Sequence, residues 1–205
     1  MTISLSDAGK RFNREWIFRH FSYQFIKGQS YAITGANGSG KSTLLQVLSG
    51  SMHFNEGRCE WKMNDAIIAP EKVFQHISIC APYLEVVEEM TVTEFLDFHQ
   101  SFKNFLPGIT TKEAIEMVGL KSASDKQIRY YSSGMKQRVK LAQCILSDTS
   151  LVLLDEPCTN LDLTGIDLYN DLIEKYCKER LVIVCSNDKT EYGFCREVIS
   201  IMDYK

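Results

Sequence analysis

No stretch of this sequence is long and apolar enough to cross a bilayer. Its longest apolar runs, such as Leu151–Leu154, fall far short of the roughly 20 residues a spanning helix needs. No C-x-x-C pair occurs among the seven cysteines, and their number is odd. That argues against a disulfide framework or a zinc site, and for reduced, buried thiols in a cytosolic protein. Basic runs are missing too: net charge is −3, with Lys and Arg spread along the chain. Such a surface has little of the sequence-independent phosphate affinity of a nucleic-acid binder. There is no internal repeat and no low-complexity segment. Met1–Leu5 lead straight into Ser6, Asp7 and Lys10, so no secretory leader is expected. The expectation is a chain soluble by itself, with no direct membrane insertion; any membrane role runs through a partner.

What is present is a core. With 205 residues and 44% hydrophobic content, the chain is expected to form one domain. Early alternation, with Phe21, Tyr23 and Phe25 on one face, predicts antiparallel strands. A strand over Ser30–Thr34 runs into a Gly-rich turn and a helix from about Lys41. Short strands are predicted near Arg58–Trp61 and His76–Cys80. Helical spacing then takes over from Thr91 to Leu120, with capping-box pairs Thr91/Glu94 and Thr110/Glu113. A further helix runs to Leu146. Leu151–Leu154 and Leu181–Cys185 read as buried parallel strands on either side of a helix over about Leu163–Cys177. A last strand near Val198–Met202 is expected to close the chain without a C-terminal regulatory domain.

Gly35-Ala36-Asn37-Gly38-Ser39-Gly40-Lys41-Ser42 fits the G-x-x-x-x-G-K-[ST] pattern, followed by Thr43, between a strand and a helix. Glycines let successive N–H groups turn inward onto phosphate oxygens, and the helix N-terminus adds partial positive charge. Lys41 is placed to reach the β- and γ-phosphates of ATP, and Ser42 to ligate Mg²⁺. A flexible turn with a chance lysine is the competing reading, and the strand–loop–helix context argues against it. Asp155 and Glu156 end a buried strand, so their side chains must diverge. Asp155 is the candidate Mg²⁺ holder through water, and Glu156 the candidate base that polarises the attacking water. Acidic caps after a strand are the plainer alternative.

Tyr131-Ser132-Ser133-Gly134-Met135-Lys136-Gln137-Arg138 resembles the L-S-G-G-Q signature of the ABC ATPase superfamily. The order of motifs (loop, signature, Asp-Glu) carries that resemblance over nearly the whole chain. It implies an α/β fold: a P-loop NTPase core with an N-terminal antiparallel β subdomain, over 1–82 and 147–205, and an inserted α-helical subdomain over about 83–146. It also implies that Ser132, Ser133 and Gly134 contact the γ-phosphate held by an opposite subunit. Thr159–Asp162 resembles the D-loop that joins the two sites, and Phe12, with Trp16 a weaker candidate, resembles the aromatic that stacks on adenine. The compact length is similar to that of the ATPase subunit of bacterial haem exporters.

The resemblance further implies a head-to-tail dimer, homomeric or with another ABC ATPase chain, that hydrolyses ATP to power a transmembrane permease from the cytoplasmic face of the membrane. A soluble, ATP-driven switch or assembly factor is the alternative.

Two positions depart from the family pattern. Tyr83 stands where a Gln is usual, and a phenol is a poor Mg²⁺ ligand. Asn187 stands for the switch histidine and keeps one donor without the charge. The expectation is an active but slow ATPase. Histidines 20, 53, 76 and 99 are expected to fill ordinary surface or core roles. Glu85, Glu88 and Glu89 are read as a solvated face, with Tyr83–Met90 a candidate permease contact. Phe95, Phe98, Phe102 and Phe105 are expected to pack within the helical subdomain or to line a groove for the permease.

Overall fold

The computed structural model describes residues 1–205. An antiparallel sheet is built from β1 (Thr2–Phe12), β2 (Glu15–Ile26), β4 (Glu56–Met63) and β5 (Ala66–Ile68), in the order β2-β1-β4-β5. Alternation explains it: Ile3 lies between Phe25 and Trp61 across the strands, and all three are buried on one face. The short strand β5 has no counterpart in the sequence reading. It forms because Asn64 and Asp65, at φ 48° and 64°, make the tight left-handed turn that Asx residues tolerate.

The second sheet is parallel, in the order β6-β7-β8-β3-β9. Its strands are β3 (Ser30–Thr34), β6 (Ile77–Cys80), β7 (Leu151–Asp155), β8 (Leu181–Cys185) and β9 (Glu197–Ser200). Alternate side chains serve two separate cores. Leu151, Leu153 and Ile183 face α1 (Lys41–Leu48) and the antiparallel sheet, whereas Val152, Leu154 and Val184 face α4 (Ser133–Ile145) and α5 (Leu163–Tyr176). Burial on both faces is why these strands are continuous apolar runs.

Between residues 83 and 146 lie α2 (Val92–Gln100), α3 (Thr111–Met117) and α4, and no strand of either sheet. Both predicted capping boxes form, with Thr91 and Thr110 each accepting from the N3 backbone. Phe95 and Phe105 are buried as expected, but Phe98 and Phe102 are 50% and 76% exposed. They stack edge-on against each other at 5.1 Å, outside the packed face of α2. Glu88 and Glu89 are exposed and pair with Lys136 and Arg129.

Arg180, only 6% exposed, anchors the far end of α4. Its guanidinium donates to the carbonyls of Ile145 (2.6 Å), Ser147 (3.0 Å) and Thr149 (2.7 Å), and the Asp148 charge favours it without forming a salt bridge. These donors meet the carbonyls that a helix C-terminus leaves open, and the charge is favoured by the helix dipole. His99 packs nearby against Ser147 Oγ at 2.8 Å, and burial with Lys103 pulls its pKa down to about 4. The last strand stops at Ser200, whose hydroxyl caps a 3₁₀ turn from Ile201 in place of the predicted strand through Met202. No helix is long and apolar enough to cross a membrane.

Candidate active site

Strands β3, β6, β7 and β8 all end at the same edge of the parallel sheet, and each hands its next residues to the site. After β3, the loop curls through Gly38 at φ 75° and Gly40 at φ 102°, with Gly40 capping α1. A side chain at Gly40 has no room, since its Cβ would lie 2.2 Å from Ile17. Gly35 is held from both sides: its N–H donates to Asn187 Oδ1 (3.1 Å), and its carbonyl accepts from Lys41 Nζ (2.7 Å). Ile17, Asn37–Thr43 and Glu156 line an open cleft of about 230 Å³. Ser39 Oγ is buried there without a partner, the one such side-chain atom in the chain. A buried hydroxyl donor, the opening N–H groups of α1 and a lysine held only by carbonyls suit a polyphosphate. A larger concavity, about 720 Å³ along α5, is lined by Asp167, Asp171, Glu174, Lys175 and Lys178 among others and offers no such backbone.

Asp155 and Glu156 diverge, and the backbone is the cause. Asp155 ends β7 and is 3% exposed; burial pushes its carboxyl up, while a hydrogen bond from Ser42 pulls it down. A desolvated carboxylate sharing one point with a hydroxyl fits a hard cation that keeps water and phosphate ligands, as Mg²⁺ does. No group of three or more His, Cys, Asp or Glu side chains forms a metal site elsewhere. Glu156 sits at φ 45°, with its N–H held by Cys185 O at 2.9 Å. That turn breaks the strand and brings Glu156 to the mouth of the cleft.

Tyr83 is 45% exposed. Burial raises its phenol, a hydrogen bond with the Gln46 side chain lowers it, and the Asp155 charge raises it. The residue thus lies on the Asp155 side of the site, against α1. Phe12 is 46% exposed at the tip of β1, under Lys10 Nζ at 4.9 Å. Trp16 is flanked by the guanidiniums of Arg11 and Arg19 at 5.3 and 4.6 Å. Neither ring lines the cleft; Ile17 does. An aliphatic wall carries no motif, and its only sequence signal is its place beside Trp16.

The signature turn forms a second group. Ser132 caps α4 by accepting from Met135 N at 3.2 Å, and Ser132 and Ser133 are exposed. A Cβ on Gly134 would lie 2.8 Å from Asn160 O, so the loop after β7 packs directly on the turn. Asp162 caps α5 through Gly165 N (2.8 Å) and pairs with Arg138 at 3.1 Å. None of Ser132–Gly134 lines the cleft that holds Lys41 and Glu156. One chain therefore gathers the cradle with Asp155, Glu156, Tyr83 and Asn187, and presents the signature turn, with Asp162, apart from it.

With this geometry in view, the likenesses to known proteins are informative. A family model described as ABC transporter matches residues 18–159. The ABC transporter ATP-binding protein YhcH of Bacillus subtilis is 29% identical over 209 residues, covering 98% of this chain and 66% of its own length. The cytochrome c biogenesis ATP-binding export protein CcmA of Xylella fastidiosa is 34% identical over 146 residues, covering 71% of this chain and 65% of its own length. The chain thus spans just under two thirds of these relatives. Among solved structures, the ATP-binding cassette MJ0796, a dimer in a post-hydrolysis state with ADP and Pi, superposes with a TM-score of 0.82 at 18% identity, over 97% of this chain and 93% of that one. At that identity the match speaks for the fold alone.

Proposed function

The chain belongs to the ABC transporter family of ATP-binding proteins, and from that premise we propose that it binds ATP with Mg²⁺ and hydrolyses it to drive a separate membrane permease. The observation that carries this reading is the cradle itself: Lys41 and the N-terminus of α1 on one side, Ser42 against Asp155 below, Glu156 at the mouth. Lys41 leaves the carbonyls of Gly35 and Ala36 to meet the phosphates. Ser42 and Asp155 would hold Mg²⁺, which supplies charge neutralisation to the phosphate oxygens. Glu156 accepts a proton from the attacking water, and Asn187, braced on Gly35 through Oδ1, keeps its N–H₂ for a phosphate oxygen. Losing one preorganised donor costs about a hundred- to a thousandfold in rate; because Asn187 keeps a donor, turnover is expected to be slow and not absent. Phe12 offers an exposed ring for the adenine.

The exposed Ser132–Gly134 turn completes the site of a second copy, or of a different ABC ATPase chain, in a head-to-tail pair. The MJ0796 cassette, which shares the fold, is described as dimeric, and that protein's pairing motivates this arrangement. The transport reading draws on CcmA, named as an export protein.

Steady-state ATP turnover of the purified chain, beside Glu156→Gln, tests the chemistry. Turnover above that of the variant is expected, and equal rates remove the hydrolase reading. Affinity capture from detergent-extracted membranes tests the load. A stoichiometric multi-span protein supports the permease, whereas recovery from the soluble fraction alone favours an ATP-driven switch.

A further inference from the structure

Two buried polar side chains take no part in the site described above, and both grip the same peptide unit. Gln137, on α4 and 5% exposed, donates through Nε2 to Pro157 O at 2.7 Å. Glu191, on the short helix α6 (Lys189–Tyr192) and also 5% exposed, accepts from Cys158 N at 2.7 Å. The carbonyl of Pro157 and the N–H of Cys158 belong to one amide plane, one residue beyond Glu156 and joined to it through the fixed ring of Pro157. One end of that plane is held by the signature helix, the other by the segment that carries Asn187.

Both grips are fixed from behind. Gln137 Nε2 also lies 3.6 Å from Cys80 Sγ, at the end of β6 just before Tyr83. Glu191 is locked by Tyr169, whose hydroxyl donates to the Glu191 carbonyl at 2.8 Å, and Ser186 hydrogen-bonds its carboxylate. No cation pairs with Glu191; burial raises its carboxyl, and the bonds from Ser186 and Cys158 lower it. A buried carboxylate held only by neutral donors adds little to stability, so its place calls for another explanation. Glu156 supplies one. A non-glycine residue at φ 45° persists only where its surroundings over-determine it, and this peptide is its next neighbour.

We propose that the Pro157–Cys158 peptide is the mechanical junction of the site, with Gln137 and Glu191 as positioning residues that fix Glu156 and the loop to Asp162 between the signature helix and the Asn187 segment. The catalytic part of this inference rests on the proposed hydrolysis; the junction itself does not. Movement of α4, when the signature turn meets an anion, reaches Glu156 through Gln137. Movement of Asn187 reaches the same atoms through Glu191.

The test uses the full chain and four variants: Gln137→Met, Glu191→Met, the double variant, and Glu191→Gln, which keeps an acceptor toward Cys158. Amide hydrogen exchange over 156–162 is read without nucleotide, and kcat and KM for ATP are read in parallel. Each Met variant is expected to speed exchange in that segment about tenfold, leaving α1 and β3 unchanged. It should lower kcat about tenfold or more with KM within about threefold, as misplacement of a reacting group does. Because both grips act on one peptide, the double variant should fall no further than about twofold below the weaker single. Glu191→Gln should recover most of the loss.

Unchanged exchange in folded Met variants overturns the junction, as do multiplicative losses in the double variant. If either Met variant does not fold, Gln137→Asn, which shortens the reach by one methylene, carries the same expectations. A wild-type chain that turns over no ATP removes the proposed hydrolysis, and the exchange data then decide the junction alone.

Discussion

The cradle and the signature turn both present the N-terminus of a helix, yet the fold treats them oppositely. At the cradle, Lys41 is buried and both ends of the loop are tied back, Gly35 by Asn187 and Lys41 and Gly40 by the wall at Ile17, while Gly38 at its tip is exposed. At the signature turn, Ser132 and Ser133 are exposed, and the turn leans on Asn160 of a neighbouring loop. The cradle lies on one face of the central sheet, while the signature helix packs on its other face and on the helical segment. The first is a cleft whose lining comes from one chain, and the second is an exposed turn. Under the proposed function, binding falls to the first and turnover needs both, so the two are expected to separate on mutation.

The largest effect expected is at the cradle. Lys41→Ala removes the only cation placed against the loop carbonyls and should weaken ATP binding by about a hundredfold or more, since charge-assisted bonds to phosphate are the strong ones. Fluorescent-nucleotide titration reads this, and an affinity within threefold of wild type would break the comparison at its firmer end. Next is the anchor of the signature helix. Arg180→Met strands the carbonyls of Ile145 and Thr149, leaves that of Ser147 with only the Thr149 N–H, and should cost about 3 kcal/mol of stability by urea unfolding. A loss below about 1 kcal/mol would mean that α4 does not depend on this tie.

Ser132→Ala should lower turnover about tenfold while leaving single-chain ATP affinity within about twofold; a matching loss of affinity in dilute protein would show that the turn serves its own cradle. A further effect, confined to acid, is at His99. His99 has a folded pKa of about 4, below its unfolded value, so the unfolded chain binds the extra proton between the two. Stability therefore falls as pH drops from about 6.5 toward 4. His99→Gln should flatten that part of a Tm-against-pH curve; an unaltered slope would assign it to other groups.

Much of this was legible in sequence because it is local. Capping boxes at Thr91 and Thr110 are complete within four residues, and the Gly35–Ser42 loop announces its shape. The divergence of Asp155 and Glu156 followed from strand alternation, although the cause proved sharper, a left-handed backbone at Glu156. What stayed hidden depends on partners far along the chain. Gln137 and Pro157 are 20 residues apart, and Cys158 and Glu191 are 33 apart. Arg180 reads as an ordinary surface charge until the end of α4 is placed over it. Phe98 and Phe102 share the helical spacing of their buried neighbours, but α2 buries only one stripe, so periodicity alone overcounts its core. The hairpin to β5 was signalled by Asn64-Asp65, yet three residues are too short a run for alternation to register.

The conformation of Glu156 has an evolutionary reading. At φ 45° glycine is the residue that the backbone prefers, by about 1 kcal/mol over one bearing a side chain. A lineage selected only for robustness would therefore drift to glycine at this position and become harder to unfold and chemically silent. A carboxylate held there works against the grain of the fold, and under the proposed function its reactivity is what that conformation serves. Ancestral or laboratory drift in which activity is not screened should lose this residue early, ahead of the glycines that shape the cradle.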